Sequence, residues 1–308
     1  MLGFPEPPAG IPETQRASGP VSIRFEDITQ DGRLVLEALP PAVGEVIWRQ
    51  LLTPDSRMLR GFRQNQALPI LSRVVLEAGD GPFATSQPLQ ASGCYEVVHA
   101  ADPSGDVERV MIDMWVDASL PIGKNYGPPP PRAGEPIRAG RFFAEHVMTR
   151  LFAPPDQRRV TRFTIDGEPV HGRARVWVPP ESVGDLPPGA VSLEEHPRRD
   201  PTPIVFGLAH TDSNQHVNSL VYPRLFEEAS LRRFAELGKM RPPVLSRYVE
   251  AAYRKPCFAG EEYAIVLRAF TRKGQLGTVG VFVAAKDAAS PEALAEARPH
   301  CFVKMLFA

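Results

Sequence analysis

The chain has 308 residues, of which 43% are hydrophobic and 23% charged, with a formal net charge of −1. That length allows one large domain or two small ones with a real core, and the balanced charge excludes recruitment of nucleic acid or an anionic membrane by a global field. No apolar run reaches the length of a membrane span, and the three cysteines, Cys94, Cys257 and Cys301, show neither a disulfide framework nor a zinc spacing.

In chain order, residues 1–19 are rich in Pro, Gly and Glu and read as a loose arm without a secretory signal. Val21 to Phe25 alternates like a strand. Leu36 to Leu52 reads as a helix with a wide apolar face, Pro40 and Pro41 fitting its first turn. Ile70 to Leu76, Cys94 to Val98 and Val107 to Val116 are strands. One helix followed by successive strands suggests a helix packed on an antiparallel sheet. Residues 121–140, with four consecutive prolines, form a loop or a stiff linker. Phe142 to Phe152 reads as a short helix, and Val160 to Ile165 and Gly172 to Val178 as strands.

Residues 179–203 are again rich in Pro and charge and mark the boundary between two halves. The second half repeats the order of the first. Pro203 to Leu208 is a strand, and a helix runs from about Asn218 to Leu237 with Gly238 at its C′ position. Strands are expected at 244–252, 261–270, 276–285 and 300–307, with a loop or short helix near 291–296. The decapeptides 69–78 and 243–252 share Pro, Leu, Ser, Arg, Val and a final Ala. Each follows a predicted helix, which favours an internal pseudo-repeat.

Between strand and helix of the second half stands His210-Thr211-Asp212-Ser213-Asn214-Gln215-His216-Val217-Asn218. Alternate positions of a strand share one face, so this reading places Asp212, Asn214, His216 and Asn218 together beside a helix N-terminus. Asp212 is a candidate general base or nucleophile, or a simple turn residue. Asn214 orients water or forms an Asx turn. His216 exchanges protons near neutral pH. The backbone N–H groups of Val217 and Asn218 are candidate oxyanion donors at the helix start, and Asn218 doubles as an N-cap. Cys257 invites a nucleophile reading, with an inert buried thiol preferred. Arg158, Arg159, Arg162, Arg173 and Arg175 either meet phosphates or form a solvated strand face. No nucleotide motif appears, so neither a cofactor nor a metal is expected.

The run Thr211 to Asn218, with Tyr222 and Glu228 beyond it, resembles the signature of hotdog-fold thioesterases, above all the acyl-ACP thioesterases with D-x-N-Q-H-V-N-N-x-x-Y. Tyr253-Arg254-Lys255-Pro256-Cys257 is similar to that family's Y-R-R-E-C segment. The close match covers residues 204–285, and the first half resembles the family only in layout. The resemblance implies an α+β tandem double hotdog, each half an antiparallel sheet around a long central helix. The N-terminal hotdog would span residues 20–195 without catalytic residues, and the C-terminal one residues 200–308 with the motif. It implies hydrolysis of an acyl thioester of acyl carrier protein or coenzyme A, in a cytoplasmic pseudo-dimeric monomer or homodimer. Asp212, Asn214 and His216 would be catalytic, and the first half would supply part of the acyl pocket.

Two positions depart from the pattern. Ser219 replaces the family's second asparagine, and Pro256 replaces the acid of Y-R-R-E-C. Glu228 and Glu250 are the available substitute acids. Competing functions are a hotdog enoyl hydratase or dehydratase, a tailoring acyltransferase, and an acyl-binding protein without turnover. The hydratase spacing D-x-N-P-x-H differs from the D-x-N-x-H found here.

Overall fold

The computed structural model describes residues 3–170, 172–240 and 244–308. Two compact units divide the chain, residues 3–178 and residues 179–308.

In the first unit, β1 (Arg16–Val21) precedes a helical stretch over residues 40–51, α1. The middle of α1, Val43–Trp48, is wound as a π-helix. A second helix, α2 (Arg57–Asn65), was not legible in the sequence; Ser56 caps it by accepting from the Leu59 N–H at 3.4 Å. Then come β2 (Leu68–Ala78), β3 (Leu89–Ala101), β4 (Val107–Pro121) and β5 (Pro136–Thr149). They form an antiparallel sheet in the order β1-β3-β4-β5-β2. The apolar side of α1 (Ala42, Val43, Val46, Ile47 and Leu51) is buried. Gly93 in β3 makes room for it: a Cβ there would stand 2.9 Å from Ile47 Cδ1.

Several expectations need correction here. The N-terminal arm is bound, not loose. Arg16–Val21 pairs with β3 through Ser18↔Ser92, the Trp115 indole donates to Pro5 O at 2.9 Å, and Phe4 is buried beneath Arg141. The first strand therefore lies ahead of Val21–Phe25. Phe142–Phe152 is not a helix, since β5 runs through to Thr149. Its residues 142–146 are all buried, because both faces of the sheet are covered there, and the alternation that marks a half-exposed strand vanishes. Of Val160–Ile165 only Thr164–Ile165 is strand, and of Gly172–Val178 only Arg173–Ala174, which pairs in parallel with β3.

That last segment is a strap across the sheet face opposite α1. Arg175 donates to Asp113 on β4 through Nε at 2.7 Å and Nη2 at 2.8 Å, and also to Glu145 on β5. Ser72 of β2 donates to Glu145 at 2.6 Å. Both carboxylates are buried, and burial pushes Asp113 up to about 6 against the pull of Arg175.

In the second unit, α3 (Val221–Glu236) precedes β6 (Ser246–Tyr253), β7 (Glu262–Arg272), β8 (Gln275–Ala284), a short helix α4 (Pro291–Glu296) and β9 (Cys301–Phe307). The sheet order is β6-β9-β8-β7. Val191–Ser192, Arg198–Arg199 and Ile204–Val205 run along β7 as an interrupted edge strand. The expected strand Pro203–Leu208 is reduced to Ile204–Val205, and Leu208–His210 is a 3-10 turn. With that edge counted as the first strand, both units have the spatial order first, third, fourth, fifth, second. The matched decapeptides fall on the second strand of each, and Pro243 lies outside the described residues.

Tyr222, Phe226, Ala229, Ser230 and Phe234 form the buried stripe of α3, at i, i+4, i+7, i+8 and i+12. Phe282 of β8 meets the rings of Tyr222 and Phe226 at 5.2 and 6.4 Å, and Phe307 of β9 meets Phe234 at 5.0 Å. The Ser230 hydroxyl donates to Phe226 O and lies 2.7 Å from Thr278 Oγ1, so no buried hydroxyl is stranded. Gly238, at φ +64°, ends the helix as expected: its N–H reaches Ala235 O at 3.0 Å and Lys239 N–H reaches Phe234 O at 2.8 Å.

Gly280 of β8 has no space for a side chain, since a Cβ would lie 2.3 Å from Val266 O and 2.8 Å from Leu267 Cα. Gly280→Ala must displace β7 backbone and is expected to cost about 1–3 kcal/mol, read as a lowered denaturation midpoint of the full chain. Among the described residues no helix is long and apolar enough to cross a membrane.

Candidate active site

The motif is a tight hairpin, not a strand. Thr211 and Val217 form an antiparallel bridge. Asp212 N–H donates to His216 O at 3.1 Å, and Gln215 N–H to Asp212 O at 2.9 Å. Asp212 Oδ1 accepts from Asn214 N–H at 2.8 Å, an Asx turn. Gln215 closes the turn at φ 66°, a conformation few non-glycine residues adopt. The bridge sets Asp212 directly opposite His216, so their side chains leave the same side of the ribbon. Asn214 sits exposed at the tip. Strand alternation and the hairpin thus both set Asp212 and His216 on one side, by different geometries.

Three other segments anchor the hairpin. Val217 N–H donates to Cys257 O at 2.8 Å, and Asn218 N–H to His210 O at 2.8 Å. Tyr253 donates its hydroxyl to Ser219 O at 2.9 Å. Asn218 Oδ1 accepts from Leu220 N–H at 2.9 Å and so caps the turn into α3. These bonds correct the oxyanion assignment: the N–H groups of Val217 and Asn218 are already spent on carbonyls. Ser219 N–H is the donor at the helix head with no partner among the described residues. His216 is half-buried, edge-on to Phe258 at 5.8 Å, and its ring nitrogens hold no bond among the described residues.

The substitute acids are elsewhere. Glu228 lies on the exposed side of α3, 3.9 Å from Arg232 at i+4. Glu250 sits on β6 three residues from Tyr253, and odd spacing puts the two on opposite faces. Tyr253 meets the head of α3, whereas Glu250 shares its face with Ala252 and Phe302 under Val183, 4.0 Å from Lys304. Neither reaches the hairpin, because helix phase and strand parity turn them away from it.

Cys257 is fully buried between the hydroxyls of Tyr222 and Tyr263, and burial pushes its thiol up to about 11. It stays protonated at neutral pH and is no nucleophile. What it contributes to the site is its backbone carbonyl. Pro256 C=O lies 3.0 Å from His300 Nδ1, so the position of the family's acid is an exposed loop residue tied through its backbone.

Of the arginines, Arg175 and Arg173 are committed to Asp113 and Glu145 and to Glu96, and serve the strap. Arg159 lies 3.5 Å from Glu108. Arg158 and Arg162 are exposed without a carboxylate partner among the described residues. No group of His, Cys, Asp and Glu suited to a metal occurs among the described residues. Tyr253 is the residue whose positioning role the sequence reading missed, although it opens a segment singled out there.

No family model matches the chain, and no curated protein does. Solved structures do. An acyl-ACP thioesterase from Bacteroides thetaiotaomicron superimposes at TM-score 0.55 with 14% identity, covering 96% of this chain and 99% of that one. The 12:0-ACP thioesterase from Umbellularia californica gives 0.55 with 12% identity, covering 96% and 94%. The fold is that of the acyl-ACP thioesterases, a hotdog-type α+β fold. The likeness extends over nearly the whole chain, including the first unit, where the sequence resembles that family only in layout.

Proposed function

We propose that the chain is a tandem double hotdog that hydrolyses an acyl thioester at the hairpin of its second unit. The observation that carries this reading is the pairing of Asp212 with His216 at the head of α3, on the fold of acyl-ACP thioesterases. Asp212 takes a proton from water, whose oxygen forms the new C–O bond at the thioester carbonyl; in direct attack the C–O bond forms to Asp212 itself, and water then hydrolyses the resulting anhydride. The Ser219 N–H and the positive end of α3 support the developing oxyanion. As the C–S bond breaks, the proton that Asp212 took from water is passed through His216 to the departing thiolate. Water is consumed, and a free acid and a thiol are released. Asn214, at the tip, orients substrate or water.

Among the described residues the first unit has no such hairpin, which supports one active site per chain. An apolar cavity of about 730 Å³ within it supports the expectation that it houses acyl chains. Arg158 and Arg162 meet phosphate of coenzyme A or of a carrier's phosphopantetheine. Three free, buried cysteines suit a reducing, cytoplasmic setting.

Thiol release from a panel of acyl-CoA and acyl-carrier thioesters tests the reading. Hydrolysis of at least one substrate is expected, and His216→Ala should slow it about 100-fold or more. Full activity in that variant, or an inert wild type that only hydrates enoyl thioesters or binds acyl chains, overturns it.

A further inference from the structure

The cavity of the first unit has a composition that specifies more than an apolar chain. Trp48, Leu52, Leu59 and Phe62 supply its apolar wall, between the C-terminal end of α1 and the length of α2. At about 730 Å³ it is within the range that encloses much of a small ligand. Two guanidinium groups, Arg63 and Arg150, line it as well.

Neither has an anionic partner among the described residues. Arg63 is exposed and forms no ion pair among the described residues. Arg150 is half-buried, and its bonds go to carbonyls only: Nε to Asn65 O at 3.1 Å and Nη1 to Arg159 O at 3.3 Å. Arg141, Arg175, Arg232 and Arg233, also half-buried, each meet a carboxylate, whereas Arg272, like Arg150, is bonded to a carbonyl. A partly desolvated cation beside an apolar wall is stabilised by an anion whose other end is apolar. The planar fork of arginine fits a carboxylate through two parallel hydrogen bonds.

We infer that this cavity is a binding site for free long-chain carboxylates, the alkyl tail against Trp48 and Phe62 and the head on Arg63 and Arg150. Only the choice of an acyl chain as ligand class rests on the thioesterase reading. A thioester brings no charge to the two guanidiniums, whereas the acid released from it brings one. The site therefore distinguishes the acid from any neutral derivative of the same chain and holds the acid longer.

Titration calorimetry of the full chain with dodecanoate, dodecanol and dodecyl phosphate tests this directly. Dodecanoate is expected to bind about tenfold or more tightly than dodecanol. Arg63→Gln and Arg150→Gln should each remove most of that advantage and leave dodecanol binding unchanged, which also reports that the unit is folded. Equal affinity for acid and alcohol, unchanged dodecanoate binding in both variants, or tighter binding of dodecyl phosphate than of dodecanoate overturns the assignment. An Asp212→Asn protein should bind dodecanoate like wild type. A chain that binds the acid but hydrolyses no thioester would sink the enzymatic reading and leave this site standing.

Discussion

Asp212→Asn is expected to lower thioester hydrolysis by about 100- to 10,000-fold while leaving the fold intact, the span typical of losing a general base. The substitution suits the geometry unusually well. Asp212 plays a structural part through Oδ1, which accepts the Asn214 N–H at 2.8 Å. An asparagine keeps that oxygen and hence the turn; what it removes is the negative charge and the basicity. Stability should stay within about 0.5 kcal/mol of wild type, as for a neutral surface change. Steady-state kinetics beside a thermal melt separate the two roles. Near-wild-type turnover would reduce Asp212 to a turn former, whereas lost activity with an unchanged melt assigns it to the chemistry.

Arg175→Met is expected to destabilise the first unit by about 3–5 kcal/mol, because it strands two buried carboxylates beside each other. Asp113 and Glu145 are directly paired across β4 and β5, and Arg175 is the cation that both of them contact. Chemical denaturation of the full chain measures the loss; a change below about 1 kcal/mol would mean the strap is ornamental. The pH dependence has a definite sign. Burial raises Asp113 from 3.8 to about 6, so the folded state favours its protonated form. Its contribution to stability is present below the ordinary value and is lost as pH rises through 6. Across that window wild type should lose at most about 3 kcal/mol from this group, a shift of roughly two pH units. Asp113→Asn should flatten that slope and be neutral or stabilising at pH 7, the opposite of Arg175→Met.

The helix Val221–Glu236 was readable from the apolar residues Leu225, Phe226, Ala229 and Phe234 and from Gly238, since both signals are local. So were the four long strands after it. In the first unit, β5 was misread because its run of buried residues lacks any period, and α2 was missed because a nine-residue helix with Met58, Leu59 and Phe62 as its large apolar residues offers too short a stripe. The site divides along the same line. The residue types of the proposed chemistry stand in one short run, so Asp212 and His216 could be proposed from it. What the sequence could not give was the company each backbone group keeps. That Val217 and Asn218 N–H are occupied, that Glu250 faces the wrong side, and that Tyr253 holds Ser219 are long-range facts.

The hairpin's three anchors come from the 3-10 turn before it, the end of β6 and the segment just beyond β6. Its shape is consequently a cooperative property of the second unit and not of the eight residues that compose it. A peptide copied from 211–218 would have the functional groups without the arrangement. In the protein the arrangement exists before any ligand arrives, so the loop has little conformational entropy left to lose at the moment of reaction. The same coupling makes the arrangement all-or-none: it disappears with the end of β6 and the segment beyond it, which carry Tyr253 and Cys257, and does not fray on its own.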